Sequence, residues 1–90
     1  MSAYPAVTPR PEMPEEFRFL CMLHNVGAIT AERALTMEDI AKWTNKEPDT
    51  IQDHLKKLGE LGYIQIVASG EIEKFHVSVT GIRKVLTLYS

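Results

Sequence analysis

The sequence predicts a small, mainly helical α+β domain whose elements follow the order helix, helix, helix, strand, strand, helix. Apolar residues recur with helical spacing over about residues 14–61 and again after about residue 80, whereas they alternate singly over about residues 63–79. Gly, Asn and Pro fall between these segments, where turns and helix ends require them. The 90 residues are enough for one domain with a single hydrophobic core.

The first thirteen residues are expected to form an extended, mobile arm, and the folded domain is expected to span residues 14–90. Four prolines lie in the first fourteen residues: Pro5, Pro9, Pro11 and Pro14. Proline fixes φ and removes a backbone donor, so this composition favours an extended segment over a helix. An arm that swaps onto a strand or enters a groove is the alternative, although Arg10 is its only basic residue.

The first helix is predicted between Pro14 and Gly27. Proline suits a first helical turn, Glu15 and Glu16 suit the positive end of the helix dipole, and glycine suits a helix end. Apolar character covers two adjacent stripes of this helix: Phe19, Met22, Leu23 and Val26, and beside them Phe17, Leu20, Cys21 and His24. Coverage this wide predicts burial on more than one side, so one side is expected to meet another chain.

Two further helices are expected to be joined by a tight turn. Thr36 and Asp39 approximate a capping box, and Asn45 tolerates the left-handed conformation that the turn needs. Pro48 is placed at the start of the next helix, where its missing N–H costs no hydrogen bond, and this helix is expected over about residues 48–61. The residues predicted to point inward are Met37, Ile40, Ala41, Ile51, Leu55 and Leu58.

A hairpin and a closing helix complete the predicted domain. Ser69 and Gly70 are expected to supply the hairpin turn, and Thr80 is expected to cap the last helix. The apolar residues that define the two strands are Ile64 and Ile66, then Phe75, Val77 and Val79. Those that define the helix are Ile82, Val85, Leu86 and Tyr89.

The segment DIAKWTNKEPDTIQDHLKKLGELGYI, followed by FHVSVTGIRKVL, resembles the winged helix-turn-helix domains of MarR-like and ArsR-like transcription regulators. Ala41 stands at the small position of the first motif helix, Asn45 at the usual glycine of the turn, and Ile51 at the branched position of the second helix. Thr44 and Lys46 depart from the pattern, which usually has apolar residues there. The resemblance implies a winged-helix protein that binds double-stranded DNA and regulates transcription, with helix 48–61 in the major groove and hairpin 63–79 as the wing.

The same resemblance implies which residues contact DNA. It places Thr50 and Lys56 or Lys57 on phosphates, and Gln52 and Asp53 at base edges, where glutamine pairs with adenine and a carboxylate accepts from cytosine. Apart from the resemblance, Lys42, Lys46 and Lys74 are candidates to line a phosphate track together with Lys56 and Lys57. His76, expected on the outer side of the hairpin, would contact phosphate when protonated. The complete set of candidates is Lys42, Lys46, Thr50, Gln52, Asp53, Lys56, Lys57, Lys74 and His76.

The charge pattern favours a second interpretation, in which the domain is a protein–protein interaction module. Helical spacing places Asp49, Asp53 and Glu60 beside Lys56 at the centre of the outward face of helix 48–61, and Glu71 lies at the tip of the hairpin. The formal net charge of −2 argues against a general nucleic-acid coat. An acidic recognition face would suit a basic protein partner.

A homodimer is expected because a domain of this size is marginally stable alone, and its first and last helices carry more apolar surface than one core needs. The residues predicted at the subunit contact are Phe19, Met22, Val26, Val85, Leu88 and Tyr89.

No catalytic site, metal site or cofactor is expected, and the protein is predicted not to be an enzyme. No glycine-rich loop follows a strand, and Cys21 with His24 would supply only two metal ligands, so core packing is the preferred role for this single cysteine. No charged-then-apolar leader is found, and the longest apolar run, around residues 19–23, is too short to cross a bilayer. The sequence therefore predicts a cytoplasmic protein that does not enter membranes.

Overall fold

The computed structural model describes residues 13–89, and expectations about the arm over residues 1–12 and about the final residue lie outside this part. Within it the elements are α1 (Glu15–Asn25), β1 (Leu35–Thr36), α2 (Met37–Thr44), α3 (Pro48–Glu60), β2 (Ile64–Ser69), β3 (Ile72–Val77) and α4 (Val79–Leu88), with a 3-10 turn at Ala31–Arg33. The predicted mainly helical α+β class and the order of its helices and hairpin are confirmed.

The sheet has one more strand than the sequence predicted. Its order is β1-β3-β2, all antiparallel, with Leu35 and Ile66 opposite Phe75 on either side of β3. β1 is two residues long, and so short a strand shows no alternation that a sequence could reveal. It becomes a strand only because β3 supplies its hydrogen-bond partners.

The turn between α2 and α3 forms as the local sequence dictates. The Thr36 side chain accepts a hydrogen bond from the Asp39 backbone N–H (3.1 Å), and the Asp39 carboxylate accepts one from the Thr36 N–H (3.3 Å). These two bonds form the predicted capping box and satisfy two donors that a helix start leaves free. Asn45 takes φ 56°, in the left-handed region, and Pro48 is the first residue of α3, so both predictions are confirmed.

The core surrounds α1, which packs against α3, α4 and β3. Four residues in the middle of α1 are buried: Phe19, Leu20, Cys21 and Leu23. The expectation that another chain covers one apolar side of α1 is therefore wrong for these residues, because α3 and α4 of the same chain cover them. Phe19 and Val85 are both 0% exposed, so neither is available for the subunit contact predicted for it.

The hairpin turn lies one residue later than predicted. Gly70 and Glu71 form it, and Gly70 takes φ 64° at the first position, as a two-residue type II′ turn requires. Ile64 is buried, whereas Ile66, two residues further along the same face, is 58% exposed because the hairpin extends beyond the helices that cover its base.

The start of α4 also differs from the prediction. Val79, expected in the second strand, is the first residue of α4, and Ser78 rather than Thr80 is the N-cap. The Ser78 hydroxyl accepts a hydrogen bond from the Gly81 N–H (3.0 Å) and donates one to the Gly62 carbonyl (2.6 Å). Ser78 is therefore preferred over Thr80 as the N-cap, because its hydroxyl also bonds the distant Gly62 carbonyl.

No helix in the described range 13–89 has the length and apolar character needed to cross a membrane.

Candidate nucleic-acid interface

The outward face of α3 is exposed and carries both signs of charge. Ile51, Leu55 and Leu58 are buried, which confirms the predicted orientation of this helix. The polar and charged residues exposed along it are Asp49, Gln52, Asp53, Lys56, Lys57 and Glu60. Amide, carboxylate and ammonium groups thus share one accessible surface, and this mixture suits hydrogen bonding to polar edges.

A groove of about 320 Å³ separates α3 from the hairpin. Apolar side chains form most of its lining, together with polar groups from Gln52 and Lys56 on α3 and from Glu73 on β3. The apolar lining residues are Met37, Leu55, Ile66 and Phe75. The fold therefore brings Gln52 and Lys56, both predicted site residues, close to the wing. Glu73, which the candidate set omits, lies opposite them because β3 carries it into the same groove.

Lys46 is bound to another residue of the chain. Its Nζ donates a hydrogen bond to Glu15 Oε2 at 2.6 Å, which joins the α2–α3 turn to the start of α1. This bond and the lysine charge lower the pKa of the Glu15 carboxyl. A DNA phosphate would have to compete with Glu15 for this lysine. The partners lie 31 positions apart, so no local pattern in the sequence could indicate the pair.

His54 supports the same junction from α3. Its ring packs against Phe19 with centroids 5.1 Å apart, and its Nε2 lies 3.9 Å from Glu15 Oε2. The His54 side chain is largely buried. Glu15 thus lies next to groups from both the turn and α3.

The remaining predicted contacts divide between accessible and inaccessible positions. Lys42 and Lys74 are exposed, and Thr50 is half-buried. His76 is only 7% exposed, and its Nδ1 lies 2.9 Å from the Val77 carbonyl oxygen. The prediction that His76 faces outward is wrong because both faces of β3 are covered at this end: its neighbours Phe75 and Val77 are buried as well, and the 3-10 turn packs near β3.

Cys21 belongs to the core and lies beside Tyr89. Burial raises the pKa of the Cys21 thiol, and burial also raises the pKa of the Tyr89 hydroxyl. The Tyr89 hydroxyl donates to Asn25 Oδ1 at 3.2 Å, which joins the end of α4 to the end of α1. Among residues 13–89, no group of three or more His, Cys, Asp or Glu side chains has a geometry that could hold a metal ion.

Comparison with solved structures identifies similar folds at low sequence identity. The DNA-binding TubR fragment from Clostridium botulinum matches with a TM-score of 0.73 and 21% identity over 88% of this chain and 99% of its own. The MepR–DNA complex from S. aureus matches at 0.67 and 20% over 83% and 60%. A MarR family protein from Bacillus stearothermophilus matches at 0.67 and 18% over 88% and 52%. No protein-family model and no curated protein matches the sequence.

These likenesses confirm the predicted fold. The helix-turn-helix of α2 and α3, the β2–β3 hairpin and the closing helix together form a winged helix-turn-helix domain like that of MarR-like proteins. The chain spans only about half the length of the MarR family protein and 60% of the MepR chain.

Proposed function

We propose that this protein binds double-stranded DNA and regulates transcription, with α3 in the major groove and the β2–β3 hairpin as the wing. The observation that carries the proposal is the exposed polar face of α3 within a helix-turn-helix whose opposite face is fully packed. An α-helix fits the major groove, where base edges present a distinct pattern for each base pair. The MepR match was solved as a DNA complex, which supports the same use of the fold here.

The proposed contacts divide into base-reading and phosphate-binding groups. Gln52 and Asp53 read base edges, since an amide pairs with adenine and a carboxylate accepts from cytosine. The exposed or half-buried residues proposed at phosphates are Lys42, Thr50, Lys56, Lys57 and Lys74. Lys46 joins them only when it leaves Glu15. Phosphate contacts position the domain and supply most of its affinity, and the base contacts supply its sequence preference.

The acidic residues near this surface favour one competing function. Asp49, Asp53 and Glu60 on α3 and Glu71 and Glu73 on the hairpin are all exposed. Each would repel a phosphate, whereas together they would attract a basic protein surface. A protein-interaction module that uses this acidic face is therefore the second candidate function.

Titration of duplex DNA of random sequence distinguishes the two functions. Fluorescence anisotropy of labelled DNA is measured with the protein at about 50 and 200 mM salt, because each phosphate contact steepens the salt dependence. If the four exposed lysines each bind a phosphate, affinity is expected to fall roughly 10²-fold between these concentrations. Absence of binding at the lower concentration, also on duplexes selected for this protein from a random pool, would contradict DNA binding and favour the protein-interaction function.

A homodimer through the ends of α1 and α4 is proposed as the active form. The predicted contact residues that the core does not enclose are half-buried: Met22, Val26, Leu88 and Tyr89. A twofold dimer would present two copies of α3 about 34 Å apart and would favour a nearly palindromic site.

Met22→Glu is expected to convert the dimer to a monomer, because it places a charge in the proposed apolar contact. Multi-angle light scattering after size exclusion measures the mass, and circular dichroism verifies that the variant stays folded. Ile72→Glu is the matched control, since Ile72 is exposed on the hairpin, away from α1 and α4. An unchanged dimer mass for folded Met22→Glu would contradict the proposed surface.

A further inference from the structure

His54 on α3 has a buried ring nitrogen without a hydrogen-bond partner. In the part of the chain that the structure describes, no group bonds its Nε2. The ring is held in place because it packs against the Phe19 ring, with centroids 5.1 Å apart. A buried polar atom without a partner costs free energy, and buried polar groups of native proteins are almost always hydrogen-bonded. A second arrangement, in which Nε2 is bonded, is therefore expected.

An acceptor for this nitrogen lies just outside hydrogen-bond range. Glu15 Oε2 is 3.9 Å from His54 Nε2, about 1 Å too far for a hydrogen bond. The same oxygen accepts a hydrogen bond from Lys46 Nζ at 2.6 Å, so the carboxylate is held by the α2–α3 turn. Glu15 is the first residue of α1 and its side chain is exposed, so rotation about its side-chain bonds can close the gap without moving a helix.

The Glu15 carboxylate can change partners without a proton transfer. The hydrogen bond and charge of Lys46 lower the pKa of Glu15, and the charge of Arg18 acts in the same direction. An ionised carboxylate accepts from an ammonium group and equally from a neutral imidazole that carries its proton on Nε2. The exchange of Lys46 for His54 is thus a rotation of one side chain.

Lys46 lies where a DNA phosphate would compete for it. It belongs to the turn before α3, at the end of this helix that also carries Thr50, another residue proposed to bind phosphate. The Lys46 side chain is 24% exposed, so a phosphate can reach it. A phosphate that binds Lys46 leaves the Glu15 carboxylate without its donor, and His54 Nε2 then offers another one about 1 Å beyond bonding distance.

We propose that Glu15 has two positions: it accepts from Lys46 in the free protein and turns to His54 Nε2 when a DNA phosphate takes Lys46. The new bond satisfies the buried nitrogen, so it offsets part of the cost of breaking the Glu15–Lys46 pair. Glu15 thereby controls how readily Lys46 contributes to DNA affinity. The inference rests on the proposed DNA binding, but the movement of Glu15 is testable without DNA.

Lys46→Met tests the movement in the free protein, because it removes the ammonium group and keeps an aliphatic side chain. The His54 Nε2–H proton is expected to exchange with water at least about tenfold more slowly than in the wild type, as a hydrogen bond to a charged acceptor implies. NMR of the 15N-labelled imidazole of the full chain measures this rate. Adding Glu15→Ala to Lys46→Met is expected to restore fast exchange. Unchanged exchange in Lys46→Met, or slow exchange that survives Glu15→Ala, would overturn the proposal.

The same signal tests the exchange on DNA. Saturating random-sequence duplex at about 50 mM salt is expected to slow exchange of the His54 proton by a similar factor in the wild type and not in Glu15→Ala. Glu16→Ala is the matched control, since Glu16 follows in the same first turn of α1, and it is expected to keep the slowing.

The outcomes with DNA separate this inference from the proposed function. If anisotropy shows that the duplex binds while exchange of the His54 proton stays unchanged, the two-position carboxylate is wrong and DNA binding stands. Equal slowing in the wild type and in Glu15→Ala would also overturn the inference, because the duplex would then only shield the ring from water. Absence of binding to any duplex would overturn both the proposed function and the role of phosphate.

Discussion

Gly81→Ala is expected to lower the free energy of unfolding by roughly 2 kcal/mol or more. This is a large effect for a substitution that adds one methyl group and removes no native contact. A Cβ at Gly81 would overlap the backbone carbonyl of Tyr63 and would lie 2.7 Å from Val77 Cγ1. Alanine normally favours a helix interior by about 1 kcal/mol relative to glycine. The overlap outweighs this gain because its main partner is backbone, which cannot rotate away as a side chain can.

The backbone around Gly81 is held by several hydrogen bonds. Tyr63 O accepts from the Ser78 N–H (2.9 Å), and the Ser78 hydroxyl bonds both Gly62 O (2.6 Å) and Gly81 N (3.0 Å). Moving α4 away from Tyr63 would lengthen these bonds and would expose the buried Val77 and Val85 side chains. The strain therefore spreads into the core.

Gly59→Ala is the matched control for this prediction. Gly59 lies near the end of α3, and a Cβ there would meet no atom within 4 Å. The same substitution is expected to stabilise the domain by up to about 1 kcal/mol. Urea unfolding followed by circular dichroism measures both changes in the free energy of unfolding. If Gly81→Ala proved as stable as the wild type, the close packing of α4 on Tyr63 would be wrong.

Elements specified by neighbouring residues could be predicted from the sequence. Three such features form as expected, and each depends on contacts within about four residues. They are the capping box of Thr36 and Asp39, the left-handed conformation of Asn45, and Pro48 as the first residue of α3. The same holds for the buried stripe of α3, because helical periodicity alone orients it.

Features that depend on distant partners could not be predicted. β1 exists because β3 pairs with it, and Ser78 rather than Thr80 caps α4 because Ser78 also bonds Gly62. His76 has the alternation of an outward residue and yet is buried, since periodicity does not reveal that the distant 3-10 turn packs near β3 and that both faces of this strand are covered. The prediction of the candidate site missed one contact for the same reason. No pattern near Lys46 in the sequence indicates that Glu15 accepts its hydrogen bond.

Lys56→Ala is expected to give the largest loss of DNA affinity among single lysine substitutions, if α3 binds DNA as proposed. Lys56 is exposed on the outward face of α3 and also lines the groove beside the hairpin, so helix and wing would direct the same phosphate toward it. Removing one phosphate contact lowers the slope of log affinity against log salt by about 0.9. Anisotropy titrations at several salt concentrations measure this slope. Arg83→Ala is the control, because Arg83 is exposed on α4. This substitution also removes one positive charge, but at a position away from α3.

Gln52→Ala separates sequence reading from phosphate binding on the same helix. Gln52 lies one turn before Lys56 and lines the same groove, but it carries no charge. Its loss is expected to leave the salt slope unchanged and to cost about 1–3 kcal/mol on the preferred sequence only, because other sequences do not satisfy its amide. An equal loss on all duplexes would remove its base-reading role. For the Lys56 prediction, the contradicting result is an equal decrease of the salt slope in Arg83→Ala and in Lys56→Ala. DNA binding would then depend only on the overall charge of the protein and not on contacts made by α3.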